Sequence, residues 1–444
     1  MKTLQSPFDV NRQWLLTVFL PIFVVVFPVA VDLINGYLLL SGRASSLTIG
    51  VLFRGVIILI GLYSLLKTKN KVSRIYIVGL IGVFLVDNFV WAIFSKNYNV
   101  LFEINKFSKI LFIFLIISIL TFVNQGSSLS KDFIFRLVAW VGFFTSLSIL
   151  LSFELGFGYK TYGDYSYGIK GFFNAQNDTG LTLLISLISS FAVFLKTQKI
   201  QYLIFCLTII LASLIIGTRA GLFGPFLIIF SFVFAAIVNY KAIFPKKLSN
   251  ITLAIFAILI CLLIIGGVSV VKNYEKFDYM IYKIQKLSNQ TPRSRTQLAA
   301  ITQINNRNLG FDIFGEGSLQ FRHGISDLTG RRCFNKEDKA IGCPVENDFF
   351  DVFGNYGLLL FSIIYLWYLF IMIFSAVHSI FHFCLDSFVI FLSIFIFLGH
   401  SSLAGHAIVS PQVGNVMGPI IFLAWRNFDL GKVFNFSKQR WEAI

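Results

Sequence analysis

Apolar runs of about 20 residues follow one another along most of this chain, and that rhythm decides what it can fold into. Twelve such runs occupy residues 14–35, 47–66, 74–94, 107–124, 133–155, 178–195, 200–216, 220–239, 251–271, 349–374, 385–403 and 412–428. Crossing ~30 Å of hydrocarbon takes about 20 mostly apolar residues in a helix. An open sheet would leave its edges unpaired in lipid. The expectation is an all-α polytopic membrane protein with about twelve transmembrane helices. A mean hydropathy of +0.78 excludes a soluble globular protein. The first run lacks a short apolar core followed by a small-residue cleavage site, so it reads as a retained span.

Basic residues in the short loops set the expected orientation. With the N-terminus cytoplasmic, sixteen Lys and Arg residues fall on the inner side, from Lys2 and Arg12 through Lys67, Lys69 and Lys71 to Arg440. The outer side receives seven: Arg43, Lys96, Lys106, Lys109, Lys160, Lys170 and Arg219. Both termini are therefore expected in the cytoplasm. The net charge of +16 is in part this topology signal, attracted to an anionic inner leaflet. No nucleic-acid module is evident. The 52 Phe accompany abundant Ile, Asn, Lys and Tyr, as AT-rich coding produces, and imply no aromatic ligand cage.

With no internal repeat or low-complexity segment, residues 1–444 read as a single integral membrane domain with one insert. That insert is a large polar loop, residues 272–346, between spans nine and ten, with twelve Lys/Arg and eight Asp/Glu in about a sixth of the length. It is expected to face outward, since long loops translocate largely regardless of charge. Cys333 and Cys343 lie ten apart within it. They are either a disulfide, in an oxidising compartment, or two free thiols.

The loop opens on an amphipathic pattern, Phe277, Met280, Ile281, Ile284 and Leu287, suited to a helix lying in the headgroup layer. Thr291-Pro292 then reads as an N-cap followed by proline at the first helical position. The helix it starts is expected to reach about Asn305, burying Leu298, Ile301 and Ile304. Arg293 and Arg295 occupy its first turn, where the helix dipole disfavours cations. Either water screens them, or a bound anion reverses the sign by drawing amide donors and guanidinium groups together.

Arg219 sits in Gly217-Thr218-Arg219-Ala220-Gly221, a tight outward turn between spans seven and eight. Arginine at the hydrocarbon edge either snorkels or is kept for a ligand. Pro344-Val345-Glu346-Asn347-Asp348-Phe349-Phe350-Asp351 leads into span ten. Carboxylates suit a helix start, so capping accounts for part of this cluster. The remainder is a carboxylate placed to act as a general base beside an arginine-lined anion site.

Asp32, Arg54 and Asp87 fall in the outer halves of the first three spans and read as a mutual ion pair. His378 and His382 are four apart without an accompanying carboxylate and read as interfacial rather than metal-binding. His400 and His406 flank the last outward turn, lining a site or satisfying backbone groups there. No Walker loop, dinucleotide-binding glycine pattern, HExxH or Ser-His-Asp arrangement is present.

Four segments together resemble the O-antigen polymerase and O-antigen ligase superfamily of bacterial envelope glycosyltransferases. They are Gly171-Phe172-Phe173-Asn174-Ala175-Gln176-Asn177-Asp178-Thr179-Gly180, the Gly217–Gly221 turn, Arg295 through Leu309–Gly317, and Glu346-Asn347-Asp348 through Asn355–Leu359. The likeness covers roughly residues 170–425. It implies an oligosaccharide on an undecaprenyl diphosphate carrier as substrate, within the membrane lipid of the bacterial inner membrane, with the site on the periplasmic side. It implies an inverting, metal-independent glycosyl transfer without a cofactor. Glu346, Arg219 and Arg295 would be catalytic. Arg293, Asp348, Asp351, Asn174, Lys170 and His406 would bind substrate. A polysaccharide chain-length regulator is a candidate partner.

One departure separates two members of that superfamily. Ligases typically carry His-Asn where this chain has Glu346-Asn347, whereas the acidic Glu-x-Asp pattern resembles Wzy-type polymerases. The reading is a repeat-unit polymerase of O-antigen or capsule, with O-antigen ligase as the near alternative. A lipid-linked oligosaccharide flippase is the distant one, disfavoured because transporters usually show repeats and mid-membrane charges.

Overall fold

The computed structural model describes residues 14–43, 48–161, 168–238, 292–333, 341–382 and 384–427. Regular structure among them is helical, with one isolated antiparallel bridge between Lys160 and Ile169. In chain order the helices are α1 (Leu15–Leu40, opening on a π-helical turn), α2 (Ile49–Lys67), α3 (Lys71–Phe94), α4 (Val100–Gly126) and α5 (Lys131–Glu154). Next come α6 (Gln176–Thr197), α7 (Ile200–Ile216), α8 (Arg219–Val238), α9 (Pro292–Asn306), α10 (Leu309–Phe314) and α11 (Ser318–Thr329). The last are α12 (Asp348–His382), α13 (Leu385–Leu403) and α14 (Pro411–Asn427). Thr48, Asn70, Asn99 and Ser130 cap α2 to α5, each side chain accepting from an N–H of the first turn.

This is an all-α polytopic membrane protein. Eight helices are long and apolar enough to cross a bilayer: α1 to α6, α12 and α13. Every expected run within the described residues falls on a helix, but α7 and α14, with 17 residues each, are shorter than those eight. Residues 251–271 and 277–287, with the expected ninth span and amphipathic helix, lie outside the described residues.

Side-chain size governs how the helices meet. The inner face of α4 packs against α2 and α14, and α5, α6 and α7 form a tight group. Gly142 on α5 lies so close to α6 that a Cβ there would sit 2.3 Å from the Cβ of Ser186. Small residues of this kind let helices approach when lipid supplies no hydrophobic drive between them. By contrast, Leu59, Leu66, Ile75 and Phe89 on α2 and α3 are exposed, as lipid-facing residues should be. At one end of the bundle, Lys196 bonds Asp132 at 2.8 Å and also Asp386, tying α5, α6 and α13 together.

Two expectations are corrected here. Arg54 pairs with Asp32 at 2.5 Å, but Asp87 does not join them. It is fully buried on α3, and both its oxygens lack a hydrogen-bond partner among the described residues. The buried stripe of α9 is also rotated: Ile304 packs on the small core as expected, but Leu298 and Ile301 do not. Leu298 is 62% exposed and Ile301 is exposed as well, while Thr296, Ala299 and Ala300 are buried against Phe321, Ile325 and Val345. On this face α9 presents small residues to the larger Phe321 and Ile325 of α11.

A second, smaller core forms there from Ala299, Ala300, Phe321, Ile325, Cys343 and Val345. Cys333 and Cys343 are joined by a disulfide, with Cα atoms 5.2 Å apart. The bond closes the strand of loop that leads into Glu346. Finally, α12 is broken at Gly357, whose φ of 67° and ψ of −175° are not helical. Here Gly357 abuts Gly315, itself at φ 72°; a Cβ on Gly357 would meet the Gly315 nitrogen at 2.3 Å. Only glycine fits such a backbone-on-backbone crossing.

Candidate functional site

Five stretches of chain converge at the end of the bundle opposite Lys196. Lys170 anchors the first of them, the segment ahead of α6. Its ammonium donates to the carbonyl of Asn174 at 2.7 Å and to Gln176 Oε1 at 3.4 Å, and lies over the Tyr159 ring. Burial draws the Lys170 pKa down, against the opposing pull of Asp178. The Ile169 N–H bonds the Ile215 carbonyl at 3.2 Å, laying this segment along the α7–α8 turn. That turn carries Arg219 at the exposed first position of α8, behind a Thr218 hydroxyl that accepts from the Gly221 N–H at 3.0 Å.

From the start of α6, Thr179 meets Gln412 of α14 at 3.3–3.5 Å. The loop before α14 is in turn fastened to the start of α12. Asp348 accepts from the His406 N–H at 2.5 Å and from the Ile408 N–H at 2.9 Å. It is fully buried. Asp348 was expected to bind substrate, but both its oxygens are engaged by backbone. Asp348→Ala strands two buried donors, so it should destabilise the protein by about 3 kcal/mol. Asp348→Asn, which keeps one acceptor, should lose roughly half as much in a thermal melt in detergent.

The capping role belongs to the residue between the carboxylates. Asn347 Oδ1 accepts from the Phe349 and Phe350 N–H groups at 3.0 and 3.4 Å, while its amide donates to the Ser402 carbonyl. Asp351 is buried and accepts from the Val345 N–H at 3.3 Å. Glu346 is left to face outward, its side chain 48% exposed. Its oxygen lies 3.3 Å from Arg293 Nη2, in the first turn of α9. Arg295 is exposed on the same turn. The structure thus brings Glu346, Arg293 and Arg295 together; Arg219 and Lys170 reach the same end from α8 and the α6 approach.

Backbone conformation singles out the same place. Among the described residues, three non-glycines adopt positive φ: Gln198, which ends α6, then Glu346 at 60° and His406 at 67°. The last two are neighbours in space through Gly405, where a Cβ would lie 2.5 Å from the Glu346 carbonyl carbon. Such left-handed residues cost of order 1–3 kcal/mol each, persist where surroundings enforce them, and cluster at functional sites. His400, beside this loop, is buried with Nε2 unpartnered, and interacts electrostatically with Arg293 and His406.

Beneath the cluster, α10 and its glycine turn form a floor. Trp91 Nε1 donates to the Phe314 carbonyl at 2.9 Å, and Ser95 Oγ to that of Glu316 at 2.7 Å. Burial raises the Glu316 pKa, offset by the Gln303 hydrogen bond at 2.6 Å and by Arg307. Arg307 pairs with Asp312 at 2.8 Å and stacks 4.6 Å from the Phe353 ring, fixing α9 to α12. Among the described residues no group of three or more His, Cys, Asp or Glu could hold a metal ion.

Lys106 and Lys109 were assigned to an outer loop; both instead lie on α4, with its apolar stretch continuing beyond them. Glu103, Lys106 and Lys109 recur at a three-residue spacing just ahead of that stretch, which places them on one face of the helix. A family model described as O-antigen ligase like membrane protein matches residues 15–308, about two thirds of the chain. The matched region includes Arg219, Arg293 and Arg295 and stops short of Glu346. No curated protein matches the chain significantly.

Proposed function

Since the chain belongs to the family of O-antigen ligase like membrane proteins, we propose that it is the repeat-unit polymerase among them. Membership makes it a multi-pass, glycosyltransferase-like protein of O-antigen assembly, acting on lipid-linked saccharide. In the finer reading, its substrates hang on undecaprenyl diphosphate at the periplasmic face of the inner membrane. Both termini lie in the cytoplasm, and residues 272–346 form the periplasmic insert.

In each turn of the reaction, a hydroxyl oxygen of the incoming unit attacks the anomeric carbon of the growing chain. The new C–O bond forms as the bond to the carrier diphosphate breaks, with inversion. Glu346 takes the proton from the attacking hydroxyl. Arg219 and Arg295 neutralise charge developing on the departing diphosphate, and this is where most of the acceleration arises. Arg293 orients the Glu346 carboxylate. Energy comes from the activated lipid.

The observation that carries this reading is an outward-facing carboxylate in a left-handed backbone, 3.3 Å from a guanidinium on the turn that also bears Arg295. A carboxylate there, in place of the His-Asn of ligases, favours polymerase over ligase. The test is purified protein supplied with one lipid-linked repeat unit, with products resolved on a gel. A ladder of lengthening lipid-linked chains is expected. Transfer only when lipid A–core is added would replace the polymerase by the ligase, and no transfer to either would remove both.

A further inference from the structure

Away from Glu346, on the inward side of α11, lies a guanidinium without an anion among the described residues. Arg322 is 8% exposed, and its Nε has no hydrogen-bond partner among them. Among the described residues its side chain makes no ion pair; it rests on the Phe102 ring, with Cζ 5.7 Å from the centroid. The Lys106 ammonium lies 5.7 Å from the centroid of the same ring. Lys109, one turn deeper, interacts electrostatically with both Arg322 and Lys106. Three cations thus share one recess, and like charges held together in a poorly hydrated place repel one another.

Carboxylates nearby do not resolve this. Glu103 directs one oxygen to the Ser318 and Leu319 N–H groups at 2.7 and 3.3 Å, capping α11. Asp351 faces the Val345 N–H. Asp178 interacts electrostatically with Lys109 from the start of α6. Among the described residues none of these carboxylates stands at ion-pair distance from the three cations. Arg54, the next cation along, already has Asp32. Beside the cations, the buried Ser318 hydroxyl lies between the Tyr356 hydroxyl and the Glu103 carboxylate. Leaving a charge buried without a partner is costly, and folds keep such an arrangement chiefly where something else completes it.

We infer that Arg322, Lys106 and Lys109 form a second anion cradle, distinct from Arg219 and Arg295, for a phosphate-class group. Three cations match a multiply charged tetrahedral oxyanion better than a single carboxylate. Depth points to a lipid headgroup as the source. Lys106 and Lys109 lie roughly 9 and 13 Å along α4 from its first residue, and the apolar stretch of that helix starts directly after them at Ile110. On the proposed function, two lipid diphosphates meet in every turnover, one bearing the chain and one the incoming unit. The second cradle serves the carrier that Arg219 and Arg295 do not hold.

Calorimetric titration of the full-length protein in detergent tests this, with undecaprenyl diphosphate and inorganic diphosphate as probes. The Arg219→Ala/Arg295→Ala protein should still bind the lipid, and adding Arg322→Gln should weaken that binding at least tenfold. Lys109→Gln, at a half-buried side chain without hydrogen bonds among the described residues, should act in the same direction and carries the test if the arginine variant fails to fold. Ligand-free Arg322→Gln should also melt several degrees higher, because an uncompensated charge has been removed. Unchanged affinity in both variants, or a lower melting temperature with affinity intact, overturns the cradle. Equal affinity for inorganic diphosphate overturns the lipid source. If wild type and the double arginine variant bind identically, the assignment of Arg219 and Arg295 fails while the cradle stands.

Discussion

Arg219→Ala and Arg295→Ala should each abolish chain extension, with turnover falling at least 10²- to 10³-fold while the amount of protein in the membrane stays normal. Diphosphate leaves with two negative charges to stabilise, and preorganised guanidinium groups act in a site where water competes weakly. Both side chains are exposed, so truncation should change stability by no more than about 0.5 kcal/mol. Lysine at either position keeps the charge but not the planar fork, and should restore only part of the activity. The measurement is polymer length on a gel from a deletion strain complemented with each variant, beside an immunoblot of its membranes. Near-normal polymer from either alanine variant would end the assignment.

Glu346 should separate chemistry from stability. Glu346→Gln keeps the size and loses the base, so turnover should fall about 10²- to 10⁴-fold. The exposed pair with Arg293 contributes at most about 1 kcal/mol to the fold. Glu346→Gly is the more telling change. Glycine accepts a φ of 60° freely, so this variant should be as stable as the parent or up to about 1 kcal/mol more so, and equally inactive. A residue retained for structure would show the reverse. The cap is carried by Asn347, where alanine should cost about 1 kcal/mol; melting curves and turnover of the three proteins settle the division.

Much of the fold could be read from the residues because lipid imposes a simple rule: apolar runs become helices. Arg293 and Arg295 could be placed on one turn because Pro292 announces a helix start. The pairing of Glu346 with Arg293 could not, since 53 residues separate them and tertiary packing alone closes the gap. The faces of α9 are hidden for a related reason: hydrophobicity picks out the large side chains, whereas Ala299 and Ala300 line the contact beside Ile304. That the His406 and Ile408 amides hold Asp348 is equally hidden, because a sequence does not disclose which carboxylates backbone amides will occupy. Charge conventionally ends a span, but the helix of Lys106 and Lys109 starts ahead of them.

The break in α12 at Gly357 divides that helix into a piece that holds Asp348 and Asp351 behind the Asn347 cap and a piece of about 25 residues beyond it. The second piece measures roughly 37 Å, enough by itself for a ~30 Å bilayer core. Thickening or thinning of the surrounding membrane can therefore be absorbed by tilting that rod. The upstream stub, clamped to the glycine turn after α10, keeps its pose. The enzyme's chemistry is insulated in this way from the composition of the lipid it lives in.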